Sequence, residues 1–265
     1  MKFIGLLLYL AGAVAFAADG TEFLQLGTPH RLIGNKVRVR AKPDTKAEAI
    51  AELSIGSEIT PTAQTDTKLT QDGVEAPWYK VTFSKEGRKT EGYIWGNLIA
   101  KGSAVSKDGL VFLYGIGPGK KEAGGYEQYS SQLRVAKDGK ELAKLVIAEG
   151  VGFASRAEVK AHGGRGFSGI ANVMSVRFMQ EYCGGKGNTI YIFWDGKTLS
   201  MVHSTIDGAD APVYATETLT FPDDKGGKPD QLFVVREHGD HDNPKDKKIE
   251  KFWLKWNGKK LVKNS

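Results

Sequence analysis

The run Arg236-Glu-His-Gly-Asp-His-Asp-Asn243 sets two histidines among several carboxylates. Neutral imidazole and carboxylate oxygen are the ligands that zinc or a similar ion takes. A calcium loop would need glycine where Pro244 or Lys245 stands, so that reading fails. The spacing of His238, Asp240, His241 and Asp242 matches no closed zinc site. A wet hairpin loop between Val235 and Ile249 explains the composition without an ion. Cys183, within Glu181-Tyr-Cys-Gly-Gly185, is the single cysteine, which excludes an intramolecular disulfide. A nucleophilic thiol needs a nearby base and a cation or helix terminus to lower its pKa. His203 is the nearest histidine in sequence, and no spacing pairs the two, so a free, partly buried thiol is expected. His162-Gly-Gly-Arg-Gly-Phe167 could cradle a phosphate on backbone N–H groups. It lacks the Lys-Ser/Thr ending and the strand-to-helix setting, and reads as a flexible connection. No paired carboxylates and no serine triad pattern stand out, so no catalytic residue, cofactor or metal is assigned.

The elements that would position such side chains are expected to be strands. The 265 residues suffice for one large domain or two ordinary ones, and 40% hydrophobic with 26% charged residues fits a packed, soluble protein. The 33 glycines exceed the usual share of about 7%. Many sit in Asp-Gly, Asn-Gly and Gly-Gly pairs, which mark tight turns between short strands. The first residues read as an export signal: Lys2, an apolar run over 3–10, and a small-x-small site at Ala15-Phe-Ala17. Cutting is expected after Ala17, leaving an exported, periplasmic or extracellular chain with no membrane span. The net charge of +6 suits anionic envelope polymers or simple solubility. Nucleic acid is a poor partner, for no dense Lys/Arg stretch is present.

After a lead-in over 18–35, residues 36–102 alternate with period two. Val37 and Val39 alternate with Arg38 and Arg40, and Tyr79, Val81 and Phe83 with Trp78, Lys80 and Thr82. Residues 60–77 read as an enlarged polar loop. In 103–265, Lys137-Asp-Gly-Lys-Glu-Leu142, Trp194-Asp-Gly-Lys-Thr-Leu199 and Trp256-Asn-Gly-Lys-Lys-Leu261 repeat one form between β-rich runs. This is the strongest short hairpin signal and predicts at least three hairpins. Further strands are expected at 110–114, 142–148, 171–180, 214–220 and 231–236, and one short helix at 155–161.

Lys36-Val-Arg-Val-Arg-Ala-Lys-Pro43, Ile50-Ala-Glu-Leu53, Ile55-Gly-Ser-Glu-Ile59, Trp78-Tyr-Lys-Val81 and Glu91-Gly-Tyr-Ile-Trp95 together resemble the bacterial SH3 (SH3b) family, small β-barrels found mostly in cell-envelope proteins. Arg38 stands at the family's usual asparagine, Ala41-Lys42 replaces the usual small polar pair, and Tyr93 stands at the usual late tryptophan. The stretch 193–235 is similar to the C-terminal part of uncharacterised exported SH3b proteins. The resemblance implies an SH3-like barrel that binds rather than catalyses.

The whole is therefore expected to be mostly β: an SH3-like barrel over 36–102, then a larger antiparallel domain over 103–265, propeller-like or a sandwich. If Tyr79, Val81 and Ile94 fill the barrel, Trp78, Tyr93 and Trp95 point outward and could stack on sugars or extended peptides. Arg38 and Arg40 could meet carboxylates with bidentate geometry. In the last long strand, Ile249, Lys251, Trp253 and Lys255 share one face; Phe252, Leu254 and Trp256 share the other, which should face the core. The Lys-Trp-Lys face reads as a solvated outer face. The expected function is non-enzymatic binding at the cell envelope, with peptidoglycan or its stem peptides as ligand. The alternatives are a cell-wall hydrolase targeted by the SH3b-like part, and a protein–protein scaffold in which the aromatic patch is a seam between domains.

Overall fold

The structure, a computed structural model, describes residues 24–121, 127–147, 156–179, 187–210 and 212–263. The expected export signal and Cys183 lie outside these residues. The fold is antiparallel β throughout, and the only helical pieces among the described residues are two short 3-10 turns, Gly96–Leu98 and Pro244–Asp246.

Six strands form the first sheet: β1 (His30–Arg31), β2 (Val37–Arg40), β3 (Ala49–Leu53), β4 (Glu58–Gln71), β5 (Val74–Lys85) and β6 (Arg88–Trp95), in the order β1-β4-β5-β6-β2-β3. One set of alternating side chains, including Val37, Val39, Ile59, Tyr79, Val81, Phe83 and Ile94, forms a sealed core. Residues 24–35, read as a lead-in, join it: β1 pairs with β4, and Leu24 and Leu32 are buried in the same core. The stretch 60–77 is not a loop. It belongs to the long β4–β5 hairpin, turned at Asp72 (φ 53°) and Gly73 (φ 74°). Its outer positions are Thr, Gln and Lys because that side of β4 faces water, which is why its strands read as loop. Register shifts at Pro61/Ala63 and Gln64/Lys68 break the ladder and bend the hairpin.

Four strands form the second sheet: β7 (Gly102–Val105), β8 (Val111–Lys121), β9 (Glu127–Lys137) and β10 (Lys140–Ile147), ordered β10-β9-β8-β7. Asp138 (φ 49°) and Gly139 (φ 73°) make the two-residue turn that the Asp-Gly signal predicts. Eight strands form the third sheet in sequence order: β11 (Arg156–Ala161), β12 (Asn172–Met179), β13 (Gly187–Trp194), β14 (Leu199–Asp210), β15 (Val213–Thr220), β16 (Gln231–Asp240), β17 (Lys248–Trp256) and β18 (Leu261–Lys263). The other two repeated turns lie where expected, between β13 and β14 and between β17 and β18. The helix expected at 155–161 is instead β11. Its Ala157, Val159 and Ala161 alternate into a core, and this tertiary burial overrides the helix-forming tendency of Ala, Glu and Lys.

In this region the second sheet lies against one face of β11–β13. Phe112, Tyr114, Leu133 and Val135 of the second sheet pack against Val159, Met174, Val176, Ile190 and Ile192 of β11–β13. The opposite face of β12 and β13 contributes Val173 and Phe193 to a third core, closed by Leu219, Leu232, Val234, Leu254 and Trp256 from β15–β17. So β13 is buried on both faces, which is why Thr189-Ile-Tyr-Ile-Phe-Trp194 reads as an unbroken apolar run. The first and second sheets also share a core, built from Ile33, Ile55, Ala100, Leu113 and Ala136.

Candidate functional site

The outer face of the first sheet carries every residue expected to touch a ligand. In the β5–β6 ladder Trp78 lies opposite Trp95 and Lys80 opposite Tyr93; in the β2–β6 pair Arg40 lies opposite Tyr93. Arg38 shares the face of Arg40, two residues away along β2. The face predicted from parity is thus correct, but the exposure predicted for the two tryptophans is not. Trp78 and Trp95 are each 4% exposed. Beyond its bulge, the β4–β5 hairpin curls back over them, packing Leu69, Val74 and Ala76 on the two rings, with Ile116 of β8 beside them. The Trp95 indole N–H donates to the Leu69 carbonyl at 3.1 Å and to the Ala76 carbonyl at 3.0 Å. The hairpin tip is tied down in turn: Gly119 N–H donates to the Asp72 carbonyl at 3.1 Å. A Cβ at Gly73 would stand 2.4 Å from the Gly119 oxygen, so only glycine allows this approach. The tryptophan pair is therefore a seam between the first and second sheets, covered by the chain itself.

What stays open on this face is Tyr93, half-buried, with Arg38 exposed and Arg40 half-buried. Arg40 is braced by donating from Nη1 to the Ala47 carbonyl at 2.7 Å. Lys80 pairs with Glu91 at 2.7 Å; the shared hydrogen bond holds the ammonium pKa up and the carboxyl pKa down. Arg38, among the described residues, has no ion-pair partner. The arrangement is a phenol ring with a braced guanidinium opposite it and a free one near by, suited to a ligand with carboxylates and an apolar body.

A second group emerges only from the register of the third sheet. Ser175 lies opposite Tyr191, and Tyr191 opposite His203; across β15–β17, Glu217 lies opposite Arg236, and Arg236 opposite Glu250. The backbone ladder between β14 and β15 covers only Gly208–Asp210 against Val213–Ala215. Beyond it, side chains span the gap: His203 Nε2 bonds Glu217 Oε1, and Arg236 Nε donates to Glu217 Oε2 at 3.0 Å. The Glu217 side chain is 4% exposed and that of Arg236 45%, so the row opens to water at the arginine. Burial alone would raise the Glu217 pKa, but the bonds and charges of His203 and Arg236 outweigh it and hold the carboxyl low. With both oxygens engaged, Glu217 orients the imidazole rather than taking up a proton. The neighbouring hydroxyls are engaged elsewhere, Ser175 with His162 Nε2 at 2.8 Å and Ser204 with Asn188 at 2.8 Å. Burial, with Arg165 and Lys160 adding to it, lowers the His162 pKa.

The remaining sequence candidates resolve into structure. Residues 162–167 are a fixed β11–β12 connection, not a loose one: His162 N–H bonds the Val173 carbonyl, Gly163 N–H bonds Asn172 Oδ1, and Phe167 is buried. In the Arg236–Asn243 run the strand continues to Asp240. The His241 ring stacks on Tyr214 at 4.6 Å, Asp240 Oδ1 accepts from the Asp242 N–H, and Glu237 is held by Lys247 and Tyr214. Among the described residues, no three His, Cys, Asp or Glu side chains gather as a metal site, and no helix is long and apolar enough to cross a membrane. Compared with protein families, characterised proteins and solved structures, the chain matches none of them.

Proposed function

We propose that the chain is an exported, non-enzymatic binding protein of the cell envelope, whose first sheet works as an SH3b-like module gripping peptidoglycan stem peptides. The observation that carries this reading is the cross-strand pair Arg40 and Tyr93, with unpaired Arg38 on the same face. Stem peptides offer carboxylates to the two guanidiniums and aliphatic side chains to the ring. Because Trp78 and Trp95 are buried, the contact rests on these three residues and not on a tryptophan platform. Purified sacculi should retain the mature chain, and Tyr93→Ala and Arg38→Glu should each weaken retention while leaving the melting temperature within a few degrees. Retention equal to that of an unrelated basic protein sinks the proposal.

A second reading, a cell-wall hydrolase, draws on one observation: the His203–Glu217 pair that ends in water at Arg236. A zymogram on cell-wall material separates the two. A cleared band that disappears in His203→Ala would replace the binding reading with the hydrolytic one.

A further inference from the structure

We propose that the outer face of β16 and β17 is a separate binding surface for an acidic glycan strand. Phe233 lies opposite Trp253 in the ladder, and their rings sit 4.7 Å apart at 34°. Both point away from the core, because Leu232, Val234, Phe252 and Leu254 between them point into it. Both rings are half-buried. Lys228 Nζ stands 4.5 Å above the Trp253 ring. Lys251 and Lys255, both exposed, flank Trp253 along the strand, ~13 Å apart at about 3.3 Å per residue. None of these three lysines has an ion-pair partner among the described residues. The carboxylate sharing this face, Glu237, is already held by Lys247 at 2.8 Å. An aromatic floor with uncancelled positive charge above and on both sides of it fits a chain of sugar rings bearing carboxylates. The C–H face of one ring lies on the indole while its charged substituents reach the ammonium groups.

The charge complementarity favours this occupant over others. Three separated lysines fall short of the basic stripe that tracks a nucleic-acid backbone. A peptide adding as a strand needs a free sheet edge, and this is a face. Two half-buried rings on a sheet are a smaller apolar surface than the continuous apolar face that an amphipathic helix lays into a bilayer.

The test uses the mature chain and three probes: polygalacturonate, neutral dextran, and vesicles of phosphatidylglycerol, with single-stranded DNA as competitor. Affinity electrophoresis should show retardation by polygalacturonate and none by dextran. Trp253→Ala and the double change Lys251→Glu with Lys255→Glu should each weaken retardation about tenfold, as expected for a central aromatic anchor and its charged rim. Trp253→Phe should keep most of it, and Arg38→Glu should leave it unchanged, which separates this surface from that of the first sheet. Near-ultraviolet circular dichroism of each variant must match the parent. The proposal is overturned by absence of retardation, by retardation that Trp253→Ala leaves intact, or by tighter binding to vesicles or DNA than to polygalacturonate.

Discussion

Two cross-strand aromatic pairs, Trp78 with Trp95 and Phe233 with Trp253, occupy equivalent places in their ladders and meet opposite fates. Each pair lies on the sheet face turned away from that sheet's own core. The first is buried to 4% under a curled hairpin and a neighbouring sheet, and its indole nitrogen is satisfied by two carbonyls. The second stays half-exposed, with Lys228 above the Trp253 ring. Side-chain parity decides which face a ring takes; chain far away in the fold decides whether that face is wet. The first pair has become packing, and the second has kept the surface properties from which binding can be built.

The comparison can be broken at either pair. Trp95→Ala should cost the most, about 3–5 kcal/mol, because it leaves a cavity and takes the indole N–H away from the Leu69 and Ala76 carbonyls; urea unfolding would measure it. A loss under about 1 kcal/mol would mean that the seam is not packed as described. Next comes Glu217→Gln, which removes charge from a nearly buried carboxylate and should cost roughly 2–3 kcal/mol near neutral pH. The Glu217 carboxyl titrates lower folded than unfolded. Its stabilisation is therefore complete above the unfolded value of about 4.3, and is lost as pH falls through the lower folded value. Thermal melts from pH 6 downward should fall more steeply for the parent than for Glu217→Gln; parallel curves would sink this account. Gly73→Ala should cost about 1–3 kcal/mol through its positive φ and the clash with Gly119. It should also lift the cover from the first pair, read as a red shift of tryptophan emission and easier quenching by acrylamide. Trp253→Ala should change stability least, by less than about 1 kcal/mol. If it matched Trp95→Ala, the contrast between the pairs would vanish.

Much of the architecture was legible because its signals are local. Asp138-Gly139 and its two counterparts turn where glycine-bearing pairs allow positive φ, and the alternation of Val37, Val39, Tyr79, Val81 and Ile94 identifies the first core. The strand at 156–161 reads as helix because its Ala, Glu and Lys residues suit a short helix, and only the burial of Ala157, Val159 and Ala161 on one face decides for a strand. Residues 60–77 read as loop because bulges interrupt the alternation and one face is polar. The burial of Trp78 and Trp95 depends on Leu69 and Ile116, which no spacing connects to them. The row Ser175–Tyr191–His203–Glu217–Arg236–Glu250 is assembled one residue per strand across six strands. The sequence carries each member as an ordinary polar position, and only the registers, including the shift at Tyr191/Ile192, align them. Nothing in the spacing around His203 points to Glu217, the carboxylate it meets.

The strand from Gly187 to Trp194 sends alternate side chains into two different interiors. Ile190 and Ile192 anchor one, and Phe193 the other, on a single backbone that cannot detach from either alone. Losing the packing on one side frees the ribbon that holds the other together. Heat or denaturant should therefore take both interiors in one concerted step, and neither is a spare part that could be exchanged for another module without rebuilding its neighbour.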